Sequence, residues 1–419
     1  MNLLYTDREG NIFDLPGTEP LFRSGRRTVS VSGDQLIPLP YGSYLFSLPG
    51  RLPLVLGQEK QKPVPLKKDP EGRSPTALSA HCASAYLRTL LPAYRPAGGA
   101  PPLSLWAYAG VALLNEEVHV AALRIDPDKR SDPELHEDVD LLERSFREKL
   151  NRYPDNRLVR QLVTCSGEYN CLCARNFFLG RFEAPLPSSP ACNSGCLGCL
   201  SHQPEASGYR ESQFRLDFSP SPEELAEVML EHFDHVPGSV ASFGQGCEGE
   251  PLLRGKDLAR AIALVRGKTG SGTINCNTNG SLPEALEEMI RAGLDSVRVS
   301  LNSLTPEYYN AYYRPRGYTL EDVKRSIGLA LEAGIFVSLN LFFLPGFTDS
   351  EPEVEALDTF LEEFPVDMIQ CRNLNMDPDI YLESLGFGDP PALGVRTLLD
   401  HLVRENPKLR LGYYNPPVR

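Results

Sequence analysis

Cys192, Cys196 and Cys199 stand in the run Ala191-Cys192-Asn193-Ser194-Gly195-Cys196-Leu197-Gly198-Cys199. At this spacing one short loop can bring three thiolates to three corners of an iron–sulfur cube. Soft thiolates favour iron–sulfur clusters, zinc or copper(I). A [4Fe–4S] cluster normally takes four protein thiolates, so three leave one iron able to bind a small molecule. A structural zinc wants a local fourth ligand; His202 is the histidine nearby, and zinc stays open as the weaker reading. Cys165, Cys171 and Cys173 form a second group. They either ligate an auxiliary cluster, with a fourth thiolate from near Cys192 or from Cys247, Cys276 or Cys371, or are small buried apolar residues, which free cysteine usually is.

Elements must position these thiols. From 177 onward the pattern alternates. Strands are expected over 177–183, 239–243, 273–276, 296–301, 335–343 and 367–371. Helices are expected over 221–232, 257–265, 283–291, 320–332 and 353–364, with a late one over 395–405. The first helix carries its own start signal, Ser221 as cap, Pro222 first, then Glu223 and Glu224. Six alternating units predict a parallel sheet with right-handed crossovers, and six suit an open, partial (β/α)6 TIM-like barrel. In parallel barrels chemistry gathers at the C-terminal strand ends. There the sequence places Gly244-Gln245-Gly246-Cys247-Glu248-Gly249-Glu250-Pro251, Asn275 to Gly280, Ser300 to Ser303, Asn340, and Arg372 with Asn373.

Upstream the chain differs. It is rich in Pro and Gly, with short β-like runs at 52–56 and 106–109 and loops at 60–75 and 92–102. This predicts a small, mostly β unit over 1–130. Apolar residues at helical spacing (Leu135, Val139, Leu142, Phe146, Leu150) predict an amphipathic helix over 132–153, followed by helical pattern over 156–164. The expected organisation is therefore 1–130 β-rich, 131–176 a helical bridge, 177–376 the barrel and 377–419 a helical extension.

Composition bounds the partners. The chain has 419 residues, 41% hydrophobic and 23% charged, with a net charge of −13. An acidic surface argues against wrapping nucleic acid through phosphate contacts. Ten cysteines are too sparse for a disulfide scaffold. The first residues show no basic region followed by an apolar core, and no apolar stretch is long enough to span a bilayer. A cytoplasmic protein is expected.

The cysteine triplet after the first strand, Gly249-Glu250-Pro251 after the second and the strand–helix alternation together resemble the radical S-adenosylmethionine (SAM) enzymes, over about 177–375. Gly249-Glu250 resembles part of that family's Gly-Gly-Glu motif, whose backbone binds the SAM amino group; Glu248 stands where the first glycine would be. Gly198 stands where the family usually has an aromatic residue near the adenine. The resemblance implies that Cys192, Cys196 and Cys199 hold three irons of a [4Fe–4S] cluster. The fourth iron would bind SAM, and one electron would release a 5′-deoxyadenosyl radical that takes hydrogen from substrate. It further implies that Gly249 and Glu250 shape the SAM pocket, that Ser300 and Asn340 bond the SAM carboxylate or ribose, that Asn279 lies at this site, and that Arg314 pairs with the carboxylate. Arg372 and Asn373 would face substrate, and one of Cys247, Cys276 and Cys371 is a candidate hydrogen-atom donor. The implied partners are an electron donor such as flavodoxin or ferredoxin and a small-molecule or peptide substrate, with no membrane. The family's auxiliary-cluster domains usually lie C-terminal to the barrel. A non-catalytic iron–sulfur carrier or sensor and a zinc-structured binding module are the alternatives.

Overall fold

The computed structural model describes residues 1–57, 62–130 and 132–419. Residues 60 and 61 of the expected loop, and residue 131 at the start of the expected bridge, lie outside the described residues.

Among the described residues, one parallel sheet of seven strands runs in chain order. Its strands are β1 (Glu183–Leu186), β2 (Val240–Phe243), β3 (Thr273–Thr278), β4 (Ser296–Leu301), β5 (Phe336–Phe343), β6 (Met368–Asn373) and β7 (Arg410–Gly412). The register steps regularly, with Ala241 beside Ile274, Val297 beside Val337 and Leu339 beside Ile369. These apolar side chains are buried, as parallel strands covered by helices require.

The helices alternate with the strands. Val139–Arg152 (α1), Arg157–Gly167 (α2) and Leu172–Leu179 (α3) precede β1. Pro222–His235 (α4), Gly255–Arg266 (α5), Pro283–Ala292 (α6), Pro306–Tyr313 (α7), Leu320–Glu332 (α8), Glu351–Glu363 (α9), Pro378–Ser384 (α10) and Val395–Glu405 (α11) follow. Helix α4 begins as its sequence predicts. The Ser221 hydroxyl accepts from the Glu224 N–H, and the Glu224 carboxylate accepts from the Ser221 N–H.

Several expectations need correction. The segment expected as a strand over 177–183 is the end of α3 plus a turn, and β1 starts at Glu183. Periodicity cannot tell a short apolar run in a strand from one in a helix. Here Phe178 packs edge-on against Phe146 of α1, and Gly180 ends the helix at φ 64°. The single helix expected over 132–153 is a 3-10 turn, Pro133–His136, followed by α1, whose N-terminus is capped by Asp138. Residues 106–109 form no named strand, and Pro63–Pro65, inside an expected loop, pairs with Arg51–Leu56. The sequence pattern also gave no sign of α7, α10 or β7.

Residues upstream of α1 form small antiparallel sheets of two to four strands. One hairpin joins Val111–Leu114 to Glu117–Val120 through Asn115 and Glu116, both at positive φ. That geometry matches the twist of its strands. This β-rich region is seated on the late strands of the barrel. Asn373 Oδ1 accepts from the Arg88 N–H, and its Nδ2 donates to the Tyr86 carbonyl. The Arg88 guanidinium donates to the Leu374 carbonyl. No helix among the described residues is long and apolar enough to cross a membrane.

Candidate functional site

A cavity of about 1030 Å³ opens at the C-terminal strand ends. Its wall includes Cys192, Cys196 and Cys199 from the loop after β1, Gly244 to Pro251 after β2, Asn277 to Asn279 of β3 and its end, Ser300 of β4, Asn340 of β5 and Arg372 of β6. His81, Tyr86 and Trp106 of the β-rich region complete it.

The cysteine loop is held from two sides. Beneath it, Gly195 N–H donates to the Tyr313 carbonyl, Leu197 N–H to Tyr312, and Arg316 N–H to the Asn193 carbonyl. Beside it, Asn279 Nδ2 donates to Asn193 Oδ1 and to Ser194 Oγ, both at 2.9 Å. Burial pushes the Cys192 and Cys196 thiols up, the nearby Cys199 adds to both shifts, and the Arg215 cation opposes them. Arg215 also donates to Cys199 Sγ at 3.4 Å. A cation beside clustered thiolates offsets their mutual repulsion. His202, by contrast, is exposed and faces Glu211. Among the described residues, no three His, Cys, Asp or Glu side chains converge tightly enough for a single metal ion.

Gly249 is required by its neighbours. A Cβ there would lie 1.9 Å from the Ala191 carbonyl oxygen and 3.1 Å from Cys192 N. Its N–H donates to the Ser189 carbonyl, and Glu250 N–H to Ala191. The segment after β2 thus lies directly along the approach to the cysteine loop. The Glu250 carboxylate accepts from Asn279 N–H at 2.8 Å, from Leu252 N–H at 3.0 Å and from the Thr278 hydroxyl. Burial pushes its pKa up to about 7 against those bonds.

Ser300 and Asn340 are neighbours in register, and Asn340 Nδ2 donates to Ser300 Oγ at 3.1 Å. Asn340 Oδ1 is buried with no hydrogen-bond partner among the described residues. An orphaned acceptor in a cavity wall calls for a ligand or water.

The structure does not bring every expected residue to the cavity. Arg314 is exposed, caps α7 in a left-handed conformation at φ 47°, and lies outside the described lining. Its place is behind the cysteine loop, so it is not in position to pair with a ligand carboxylate. Asn373 does line the cavity, and one bond from each end of its amide, with Arg88 N–H and the Tyr86 carbonyl, ties it to the β-rich region. Cys276 and Cys371 are buried in the core between sheet and helices, outside the described lining. Cys247 does line the cavity.

Two residues were visible in the sequence only as departures. Glu248 is buried, and its carboxylate accepts from Ser188 N and Oγ, Ser189 N, Gly244 N and Gln245 N, all within 2.7–2.8 Å. It ties the turn after β2 to the chain leaving β1. Gly198 faces Tyr312, whose hydroxyl would lie 3.1 Å from an added Cβ. Tyr312 therefore occupies the space a side chain at 198 would need, and it lines the cavity.

Residues 186–357 match the sequence model of the radical SAM superfamily. This segment of the chain belongs to the radical SAM superfamily. Curated relatives of the radical SAM segment include a probable GTP 3′,8-cyclase of Methanosarcina acetivorans, 31% identical over 193 residues, covering 45% of this chain and 54% of the relative. A GTP 3′,8-cyclase of Heliobacterium modesticaldum is 32% identical over 166 residues, covering 38% and 46%. The chain spans about half the length of the curated relatives it matches. Among solved structures, Streptococcus suis SuiB bound to precursor peptide SuiA aligns with TM-score 0.39 at 14% identity, covering 62% of this chain and 53% of that one. The [FeFe]-hydrogenase maturase HydG aligns with TM-score 0.39 at 16% identity, covering 68% and 67%. Radical SAM domains use a [4Fe–4S] cluster and SAM, and the donor set fits them. Three thiols of one loop, with a cation beside them, face the same cavity as an orphaned amide oxygen.

Proposed function

We propose that the chain is a cytoplasmic radical SAM enzyme acting on a small-molecule or peptide substrate. Cys192, Cys196 and Cys199 hold three irons of a [4Fe–4S] cluster, and Arg215 balances its charge. Ser300 and Asn340 supply polar contacts to SAM, and Gly249, Glu250 and Asn279 fix the backbone around it. When bound, the cluster and SAM supply the electron and the 5′-deoxyadenosyl radical for hydrogen abstraction. The protein's share is to bind, orient and exclude solvent. Tyr312 and Tyr313 give the cavity an aromatic wall, and the β-rich region roofs it with His81 and Trp106. A one-electron donor of the flavodoxin or ferredoxin kind completes the system. The relatives' names make a nucleotide one member of the substrate class.

The observation that carries this reading is the triplet's opening onto a cavity whose wall holds the orphaned Asn340 Oδ1. The test is anaerobic reconstitution, reduction and incubation with SAM. The native protein is expected to form 5′-deoxyadenosine and Cys192→Ala to fall to background. No product from an iron-loaded, reduced native protein would leave a cluster carrier. Zinc in place of iron and sulfide would leave a binding module.

A further inference from the structure

The second cysteine group is not scattered through the core. Helix α2 carries Cys165 in its last turns, Cys171 is the N-cap of α3, and Cys173 lies in the first turn of α3. The connection is tight, since Cys171 N–H donates to the Cys165 carbonyl at 2.9 Å. Cys247, at the turn after β2, meets them from the barrel. Cys247 lies close enough to Cys165 and Cys171 for their charges to interact, as do Cys171 and Cys173. All four line the cavity.

A separate observation says what charge belongs there. Arg298 of β4 and Arg372 of β6 both act on Cys173 and on each other. Both guanidiniums are half-buried in the cavity wall, and the Glu183 carboxylate is the acidic group close to Arg298 and Cys173. Their hydrogen bonds go to neutral acceptors, Gln370 Oε1 from both and the Tyr413 carbonyl from Arg372. The Nε of each is buried with no partner among the described residues. Two half-buried cations with buried, unused Nε donors, set against the single carboxylate of Glu183, favour a further anion in the cavity. A cube bound by four thiolates is a dianion by formal charge count.

We infer that Cys165, Cys171, Cys173 and Cys247 hold a second [4Fe–4S] cluster on the cavity wall, with Arg298 and Arg372 as its counter-cations. With four protein thiolates no iron is left open, which suits this cluster to holding an electron rather than binding substrate.

The site is tested without reference to turnover. Iron and sulfide are counted in anaerobically reconstituted native protein, in the triple variant Cys192→Ala/Cys196→Ala/Cys199→Ala and in Cys165→Ala/Cys171→Ala/Cys173→Ala, and each reduced sample is examined by electron paramagnetic resonance. The native chain is expected to hold about eight irons, and each triple variant about four with a reduced-cube signal. The first variant leaves the second site whole, so the inference stays testable even where the other variant does not fold. About four irons in the native chain and none in the first variant overturns the second cluster and leaves the radical SAM reading standing. About four in both supports the second cluster and removes the first. A Cys165–Cys247 disulfide, or one zinc without sulfide, in the first variant also overturns it.

Discussion

At the scale of single residues, Glu248 is the side chain on which the site's geometry most depends. Five donors from two segments converge on one carboxylate, and burial still raises its pKa. Glu248→Ala would strand those donors in the interior. Each unsatisfied buried group costs about 1–3 kcal/mol, so a loss of at least about 3 kcal/mol is expected in denaturant unfolding, together with reduced iron loading. Glu248→Gln should fare nearly as badly, because an amide NH2 would face N–H donors. A variant as stable as the native chain would show that the hydrogen bonds are replaced by water. The residue also shows what sequence could and could not tell. The cysteine triplet, Gly249, Glu250 and the Ser300–Asn340 pair were legible from spacing and position at strand ends. Glu248 was legible only as a mismatch, because its partners across the site, Ser188 and Ser189, lie 60 and 59 positions away and nothing local encodes that meeting. Arg314 misled for the opposite reason. Its type suggested carboxylate pairing, but the left-handed turn that backs the cysteine loop points the chain elsewhere.

At the scale of elements, α4 carries a titratable group with a definite consequence. His232 is buried against the barrel, Nε2 lies 3.1 Å from the Phe182 carbonyl, and Nδ1 has no hydrogen-bond partner among the described residues. Burial depresses its pKa from 6.5 to about 4, with Lys149 adding to the effect. The unfolded chain therefore takes up this proton first. The contribution is whole above about pH 6.5, declines as the pH falls towards about 4, and changes no further below that. Between pH 7 and pH 5 the native protein should lose about 2 kcal/mol more than His232→Gln, which keeps a donor for Phe182. Equal losses in the two proteins, measured by denaturant midpoints, would refute the assignment. Elements such as α4 were well marked in the sequence, since caps and apolar spacing are local signals. Helix α3 was not. Its Phe177-Phe178-Leu179 run reads equally as strand, and only packing on α1 and His232 decides it. Strand β7 is three residues long, too short to show a period.

At the scale of the whole molecule, the β-rich region and the barrel are joined by a buried ion pair. Arg51 donates to Asp377 at 2.7 Å, with 4% and 1% of the two side chains exposed. Arg51 also reaches the Pro49 and Pro101 carbonyls. Asp377 accepts from Leu103 N–H and caps α10 through its other oxygen. The pair thus links a strand of the β-rich region, the loop at 101–103 and the helix after β6. No pattern along the chain could reveal it, because the partners are 326 positions apart. Removing one partner leaves the other as an uncompensated buried charge, which costs about 3–5 kcal/mol. Arg51→Met keeps much of the side chain's bulk and loses the cation, so its unfolding free energy should fall by about that amount, with earlier proteolysis of the β-rich region. Adding Asp377→Asn removes the stranded charge while leaving one oxygen for the α10 cap. The double variant should therefore be more stable than Arg51→Met alone, a coupling that two independent losses would not give. If the two substitutions simply add, the contact is packing rather than charge, and the β-rich roof of the cavity is held by the Arg88 and Asn373 hydrogen bonds instead.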